Sequence, residues 1–300
     1  MIKDLKGIIE AAKNCPGRKI AVAAAADLEI LEVACRVREE NIGEFIFVGD
    51  EEKILSIAEE SMLDLGSSEI IDEPDDKKAV EKVVELIKAG GADVAMKGML
   101  HTATFMRGIL NKEKGLSTGG HISQVSLIDK IDKSGIQYIT DGVISLEPDL
   151  MTKVEIIKNA VKLAHALGNE CPTVACVGAV EVVNPKMPDT MDAAILSKMN
   201  DRGQITGCII DGPFGLDNAI SKEAAEHKKI DSPVAGNADI LLVPSVYVGN
   251  PLIKSITYYA GKDMASAIIG PTRPVVMTSR TDSITNKVLS IALAVYLAGK

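Results

Sequence analysis

Tryptophan is missing from this chain of 300 residues, and phenylalanine and tyrosine are scarce, at four and five. With aromatics at 3%, there is little to stack against the bases of single-stranded nucleic acid. A net charge of −9 argues against nucleic acid as the main partner, but local Lys and Arg clusters leave anionic substrates open. No run of eighteen or more uncharged apolar residues occurs, so the sequence offers no transmembrane helix. The start, residues 1–7, has no apolar core of a signal peptide and reads as the opening of an amphipathic helix. Cys15, Cys35, Cys171, Cys176 and Cys208 are scattered, odd in number and mostly in apolar segments. They read as reduced core thiols of a cytoplasmic protein. His101, His121, His165 and His227 are spread out, with no H-x-x-x-H and no C-x-x-C, so no metal site is expected.

What is present is ordinary for a soluble globular protein: 46% hydrophobic and 25% charged residues, in a chain long enough for two cores. Short apolar runs rich in Val, Ile and Ala alternate with helical patterns from end to end. Strands are expected at 19–25, 44–48, 92–96, 137–139, 173–178, 207–210, 239–243 and 274–278. Helices are expected at 27–40, 77–89, 102–110, 149–167, 189–200, 222–226, 251–260 and 282–298. Near-continuous apolar strands between helices indicate an α/β fold with a largely parallel sheet buried on both faces. Composition marks no domain boundary, and the turn-rich stretch 130–135 is the best place for one. In such sheets ligands bind beyond the carboxyl ends of the strands, so the polar residues that follow each strand are the candidates for chemistry.

Five segments qualify. After the strand ending at Met96, Lys97, His101, Thr102 and Thr104 crowd a helix start, with Arg107 one turn on; two cations and two hydroxyls there make an anion cradle, or a simple cap beside a solvated Arg. The glycines Gly115, Gly119 and Gly120 suggest a mobile loop, but neither G-x-x-x-x-G-K-[ST] nor G-x-G-x-x-G is present. Asp211 precedes a sharp Gly212-Pro213 turn, and Asp217 and Asn218 either cap the next helix or face a cleft. From 231 to 250 a loop and strand lead to a turn at Gly249-Asn250 and a helix bearing Lys254 and Tyr258. Finally, residues 274–283 bring Thr278, Ser279 and Arg280 to the start of the last helix, which Asp282 or Ser283 can cap. Apolar Ile284, Val288, Ile291, Ala292 and Val295 give that helix one buried face.

Taken in order, several of these segments resemble the phosphate acetyl/butyryltransferase family. The matching pieces are Lys97-Gly with His101-Thr102 and Arg107; Asp211-Gly-Pro with Leu216-Asp-Asn-Ala219; Ser232-Pro-Val-Ala-Gly with Ala238-Asp-Ile-Leu; Gly249-Asn250; and Thr278-Ser-Arg280. The length and the form Thr278-Ser-Arg-Thr-Asp-Ser283 look most like the butyryl enzymes. The resemblance implies two α/β domains with a cleft between them, similar to isocitrate/isopropylmalate dehydrogenases. Domain I would be 1–134 plus 277–300, and domain II, 135–276, would carry a dimer interface. It also implies a reaction: acyl-CoA plus phosphate giving acyl phosphate plus CoA, with CoA as substrate and no cofactor.

Carried over residue by residue, the family's Ser-Arg pair falls on Ser279 and Arg280, and another Arg on Arg107. The Asp proposed as base in the acetyl enzymes falls on Asn286, which leaves Asp282 as the nearest carboxylate; a further Arg falls on Thr257, which leaves Lys254 as the nearest cation. Ser279, Arg280 and Asp282 are thus the expected catalytic residues. Lys97, His101, Thr102, Arg107, Asp211, Asn250, Lys254 and Thr278 are the expected binding residues. In the expected mechanism Asp282, or a water it positions, accepts the CoA thiol proton; thiolate attacks the acyl phosphate; Ser279 and Arg280 stabilise the oxyanion; Arg107, with Lys97 or Thr102, holds phosphate. The alternatives are a phosphate acetyltransferase, a metal- and NAD(P)-dependent decarboxylating dehydrogenase of the same fold, and a non-catalytic acyl-CoA sensor.

Overall fold

The computed structural model describes residues 1–132 and 134–300. The chain opens with α1 (Leu5–Lys13), β1 (Lys19–Ala23), α2 (Leu28–Glu39), β2 (Glu44–Gly49), α3 (Glu51–Glu60), β3 (Glu69–Asp72), α4 (Asp76–Lys88), β4 (Val94–Lys97) and α5 (Thr102–Ile109). Next come β5 (Ser123–Asp129), β6 (Ile136–Thr140), α6 (Leu150–Ala166), β7 (Thr173–Val177), α7 (Pro188–Asp201), β8 (Ile209–Phe214), α8 (Leu216–Ile220), α9 (Lys222–His227), β9 (Ile240–Leu242) and α10 (Val246–Tyr258). It ends with β10 (Ala265–Ile269), β11 (Val275–Val276) and α11 (Ile284–Ala298).

Two compact units form, both mixed α/β. The first is Leu5–Gly120 with Met264–Lys300, and the central one is His121–Asp263 with Met1–Asp4. The unit boundaries lie at 120/121 and 263/264 rather than at 134/135 and 276/277. The stretch 130–135 is the turn of a hairpin: β5 and β6 pair antiparallel, and Lys130 N–H donates to Gly135 O at 2.9 Å.

In the first unit the strands lie in the order β3-β2-β1-β4-β11-β10. The neighbours from β3 to β11 are parallel, and β10 runs antiparallel to β11. The central unit orders its strands β5-β6-β9-β7-β8, parallel except for the hairpin. The strands are largely parallel, as expected, with antiparallel pairs only at β10–β11 and β5–β6 among the described pairings. Strands β3, β5 and β10 were absent from the sequence reading. In β5 the polar Ser123, Gln124 and Ser126 are buried among Val125 and Leu127, so the run lacked a continuous apolar signal.

Two expected turns are not turns. Gly212 and Pro213 lie within β8, which continues to Phe214. Gly249 and Asn250 lie inside α10, which already starts at Val246. Gly249 serves close packing there: a Cβ would stand 2.6 Å from the Gly142 Cα. The last helix also differs from expectation. Every residue of α11 from Asn286 to Val295 is buried, not one face, because the helix packs against α1, α2 and β10 within its unit. A helix that is apolar almost all round belongs in a core. Of the five cysteines, Cys176 and Cys208 are buried, Cys15 and Cys35 are half-buried and Cys171 is exposed; all are free thiols. Among the described residues no helix is long and apolar enough to cross a membrane.

Candidate active site

Three parallel neighbours, β1, β4 and β11, end on the same edge of the first unit. Their register is explicit: Ala23 sits opposite Lys97, and Met96 opposite Val276. The chain therefore releases Ala24, Gly98 and Met277-Thr278 side by side. Gly98 N–H donates to Ala23 O at 2.9 Å and Met99 N–H to Ala24 O at 2.8 Å, tying the β4 exit to the β1 exit. Ala24 takes a positive φ of 56°, rare for a residue with a side chain. The next helix, α2, is capped by Asp27, whose Oδ1 accepts from Ile30 N–H at 3.1 Å.

These exits line a small, half-open cleft of about 20 Å³. Lys97, Gly98 and Met99 line it from β4; Thr278, Ser279 and Arg280 from β11; Asp27 and Glu29 from α2; and Lys287 from the first turns of α11. Lys97 is 6% exposed and Lys287 2%, so two buried ammonium groups and one guanidinium serve the same small space. Lys97 Nζ donates to Gly98 O at 3.2 Å and Leu100 O at 3.4 Å. Lys287 Nζ pairs with Glu29 Oε1 at 2.6 Å. Burial pushes the Lys97 ammonium below its usual value, and the neighbouring Arg280 and Lys287 charges push it further, against an opposing pull from Asp27.

The turn that carries Ser279 and Arg280 is braced by Asp282. Ser279 N–H donates to Asp282 Oδ2 at 2.8 Å, and Asp282 N–H donates back to Ser279 O at 3.2 Å. Ser279 Oγ lies 3.1 Å from Thr281 Oγ1. Ser283 caps α11, accepting from Asn286 N–H at 3.2 Å. Asn286 does not face the cleft chemistry; its Oδ1 accepts from Met264 N–H at 2.9 Å and ties β10 to the helix.

Of the expected residues, the structure brings together Lys97, Thr278, Ser279 and Arg280. His101 occupies the cap position of α5 without a side-chain capping bond, and Thr102 is the first helical residue; both are exposed. Arg107 is exposed in the last turn of α5. The glycine loop is tied to the strand exit at 270–272, with Thr118 Oγ1 donating to Gly270 O at 2.8 Å and Thr272 N–H to Leu116 O at 2.8 Å. The remaining expected residues belong to the central unit and have local partners. Asp211 Oδ1 accepts from Gly212 N–H at 2.8 Å, Asn250 is exposed on α10, and the Lys254 ammonium sits 5.6 Å from the Tyr258 ring centre. Asp217 and Asn218 form a local network with Lys228 and Glu181.

Sequence reasoning missed Lys287, Glu29 and Asp27. Lys287 lies one residue after Asn286, where the acetyl enzymes' Asp falls, and directly precedes the apolar part of the last helix, which was the available signal. Asp27 and Glu29 follow a strand end, where ligands are expected, but nothing in the local pattern links them to a segment 250 residues later.

Three cations and two hydroxyls at the ends of parallel strands give this α/β unit a cleft suited to an anion. The chain belongs to the phosphate acetyl/butaryl transferase family, which matches residues 76–295. It is 46% identical to the phosphate butyryltransferase of Clostridium acetobutylicum over 100% of this chain and 99% of that protein. It is 45% identical to the phosphate acetyltransferase of Thermotoga maritima over 98% of this chain and 99% of that one. Among solved structures, a branched-chain phosphotransacylase from Enterococcus faecalis V583 matches with a TM-score of 0.84 and 29% identity, covering 94% of this chain and 99% of that one.

Proposed function

We propose that this chain transfers a short acyl group between CoA and inorganic phosphate: acyl-CoA + phosphate = acyl phosphate + CoA. The observation that carries this is the pairing of Lys97 with Ser279 and Arg280 in one cleft, in a chain of this family. Both substrates react directly, without an acyl-enzyme. In the direction of acyl phosphate synthesis a phosphate oxygen attacks the thioester carbonyl, negative charge gathers on the carbonyl oxygen, and CoA leaves as thiolate and takes up a proton. Arg280 and the Ser279 hydroxyl stabilise the oxyanion, and Lys97 holds the phosphate. Asp282 braces the Ser279–Arg280 turn by accepting from Ser279 N–H at Oδ2, and its carboxylate, or a water it positions, takes the thiol proton in the reverse direction. The isocitrate/isopropylmalate dehydrogenase-like architecture stays part of this reading, supported by the return of the last helix to the first unit.

Butyryl is the first acyl group to test, with acetyl as the second reading because the identities to a butyryl and an acetyl enzyme are so close. CoA release followed with a thiol-reactive dye should depend on phosphate with butyryl-CoA, acetyl-CoA or both, and the ratio of the two rates sets the acyl preference. Release that ignores phosphate, or none with either thioester, removes the proposal.

The lowered Lys97 value gives a pH signature. Only the protonated ammonium attracts phosphate, and its folded-state value lies below 10.5. The kcat/KM for phosphate, which reports the free enzyme, should therefore fall as pH rises through a midpoint below that value. Lys97→Met should lose this alkaline limb; a limb that persists in the variant assigns it to another group.

A further inference from the structure

The cleft contains one cation that the proposed reaction does not use. Lys287 comes from α11, is 2% exposed, and reaches the same space as Lys97 and Arg280. A buried ammonium on an otherwise apolar helix is costly to desolvate, and a single surface-side partner offsets only part of that cost. Its partner, Glu29, is 37% exposed at the side chain and opens toward the cleft from the first turn of α2. The arrangement is therefore asymmetric: the cation is enclosed and the anion is half in water.

Charge points the same way. Lys97, Arg280 and Lys287 contribute three positive charges, against Asp27 and Glu29. Asp27 is occupied as the cap of α2, with Oδ1 on Ile30 N–H. The cleft thus holds three positive charges against two negative ones in little room, which suits a compact anion better than an extended one.

We propose that Lys287 is a phosphate-binding residue of this cleft, a third cation beside Lys97 and Arg280, and that Glu29 is a positioning residue that holds the Lys287 ammonium toward the anion. This rests on the transferase reading above. Glu29 keeps Lys287 from folding back along the helix in the empty enzyme. When phosphate enters, the ammonium donates to it as well as to Glu29, since it has three protons to offer. Asn286, one residue earlier, accepts from Met264 N–H and is not among the cleft-lining residues, whereas Lys287 is.

The test is Lys287→Met in the full chain, read by the KM for inorganic phosphate, the KM for butyryl-CoA and acetyl-CoA, and the melting temperature. Losing one charge-assisted hydrogen bond to phosphate should raise the phosphate KM roughly 10- to 100-fold. The thioester KM should stay near the wild-type value, and Lys287→Arg should restore most of the phosphate affinity. An unchanged phosphate KM in a folded Lys287→Met protein overturns the proposal, whatever happens to the melting temperature. The double variant Glu29→Gln/Lys287→Met removes both charges and leaves no unpaired carboxylate, so it carries the same test if the single variant fails to fold. Glu29→Gln alone should raise the phosphate KM by a smaller factor, with the thioester KM unmoved; an unchanged phosphate KM there removes the positioning role. If wild-type protein shows no phosphate-dependent CoA release, the transferase reading fails separately. Calorimetric titration with inorganic phosphate then decides the site: weaker binding in Lys287→Met than in wild type upholds it, and equal binding, or none to wild type, overturns it.

Discussion

Arg280→Ala should lower kcat by about 10²- to 10³-fold while changing CoA affinity only slightly. That is the usual consequence of removing one donor from an oxyanion site. Arg280 is exposed at the mouth of the cleft and comes from a turn already braced by the Asp282–Ser279 pair. Its removal should therefore leave the turn in place and isolate the lost charge. Steady-state kinetics of CoA release, with CoA binding measured by calorimetry, checks both halves. A kcat near that of the wild type would show that Arg280 does not meet the developing charge. The same variant has a second readout. Arg280 helps to depress the Lys97 value, so removing it should move the alkaline limb of kcat/KM for phosphate toward higher pH.

Gly98→Ala should be the most damaging substitution of a single methyl. A Cβ at Gly98 would lie 2.6 Å from Ala23 O and closer still to Ala24 O. Both are backbone atoms, and both already accept hydrogen bonds from the β4 exit, so neither can swing aside like a side chain. The strand ends must separate. Overpacking of this kind costs about 1–3 kcal/mol, and more where backbone must shift. For a chain of this size that lowers the melting temperature by roughly 2–4 °C per kcal/mol. Activity should fall further than stability, because Lys97 adjoins the displaced residue and a misplacement of about 1 Å can cost about 10²-fold. Thermal melts and kcat measured on one preparation test this, and wild-type values for both would mean that the two strand exits tolerate separation.

How much was readable in advance differs by element. β1, β2, β4 and β7 announced themselves as apolar, β-branched runs bounded by polar residues, since both of their faces are covered. β5 did not, because three of its buried residues are polar, and the partner of Ser123 comes only with the fold: its Oγ accepts from the Asn159 side chain at 3.0 Å. β10 and β11 are short, and their pairing depends on segments far away in sequence. Pro213 looked like the end of β8 and is not, since Gly212-Pro213 falls where the strand continues beside β7.

The candidate site shows the same division. Lys97 was legible as a polar residue at the end of a buried strand, and Ser279-Arg280 as a polar turn before a capped helix. Asp282 was legible as a nearby carboxylate, but not as a brace, since the geometry of one turn decides which donors it meets. His101, Thr102 and Arg107 clustered in sequence, yet a helix only 8 residues long spreads them over its start and its last turn.

The sequence by itself determined the α/β class, most strand and helix positions, the family and the reaction class, because local periodicity and short motifs are properties of neighbouring residues. Only the tertiary structure decided which cations share a space. Lys97, Arg280 and Lys287 come from β4, the β11 exit and α11, and Glu29 and Asp27 come from the opposite end of the chain. Parallel pairing of β1, β4 and β11 sets their ends side by side, and burial then turns separate charges into one interacting group, because ions in a poorly solvated cleft feel one another far more strongly than ions in water.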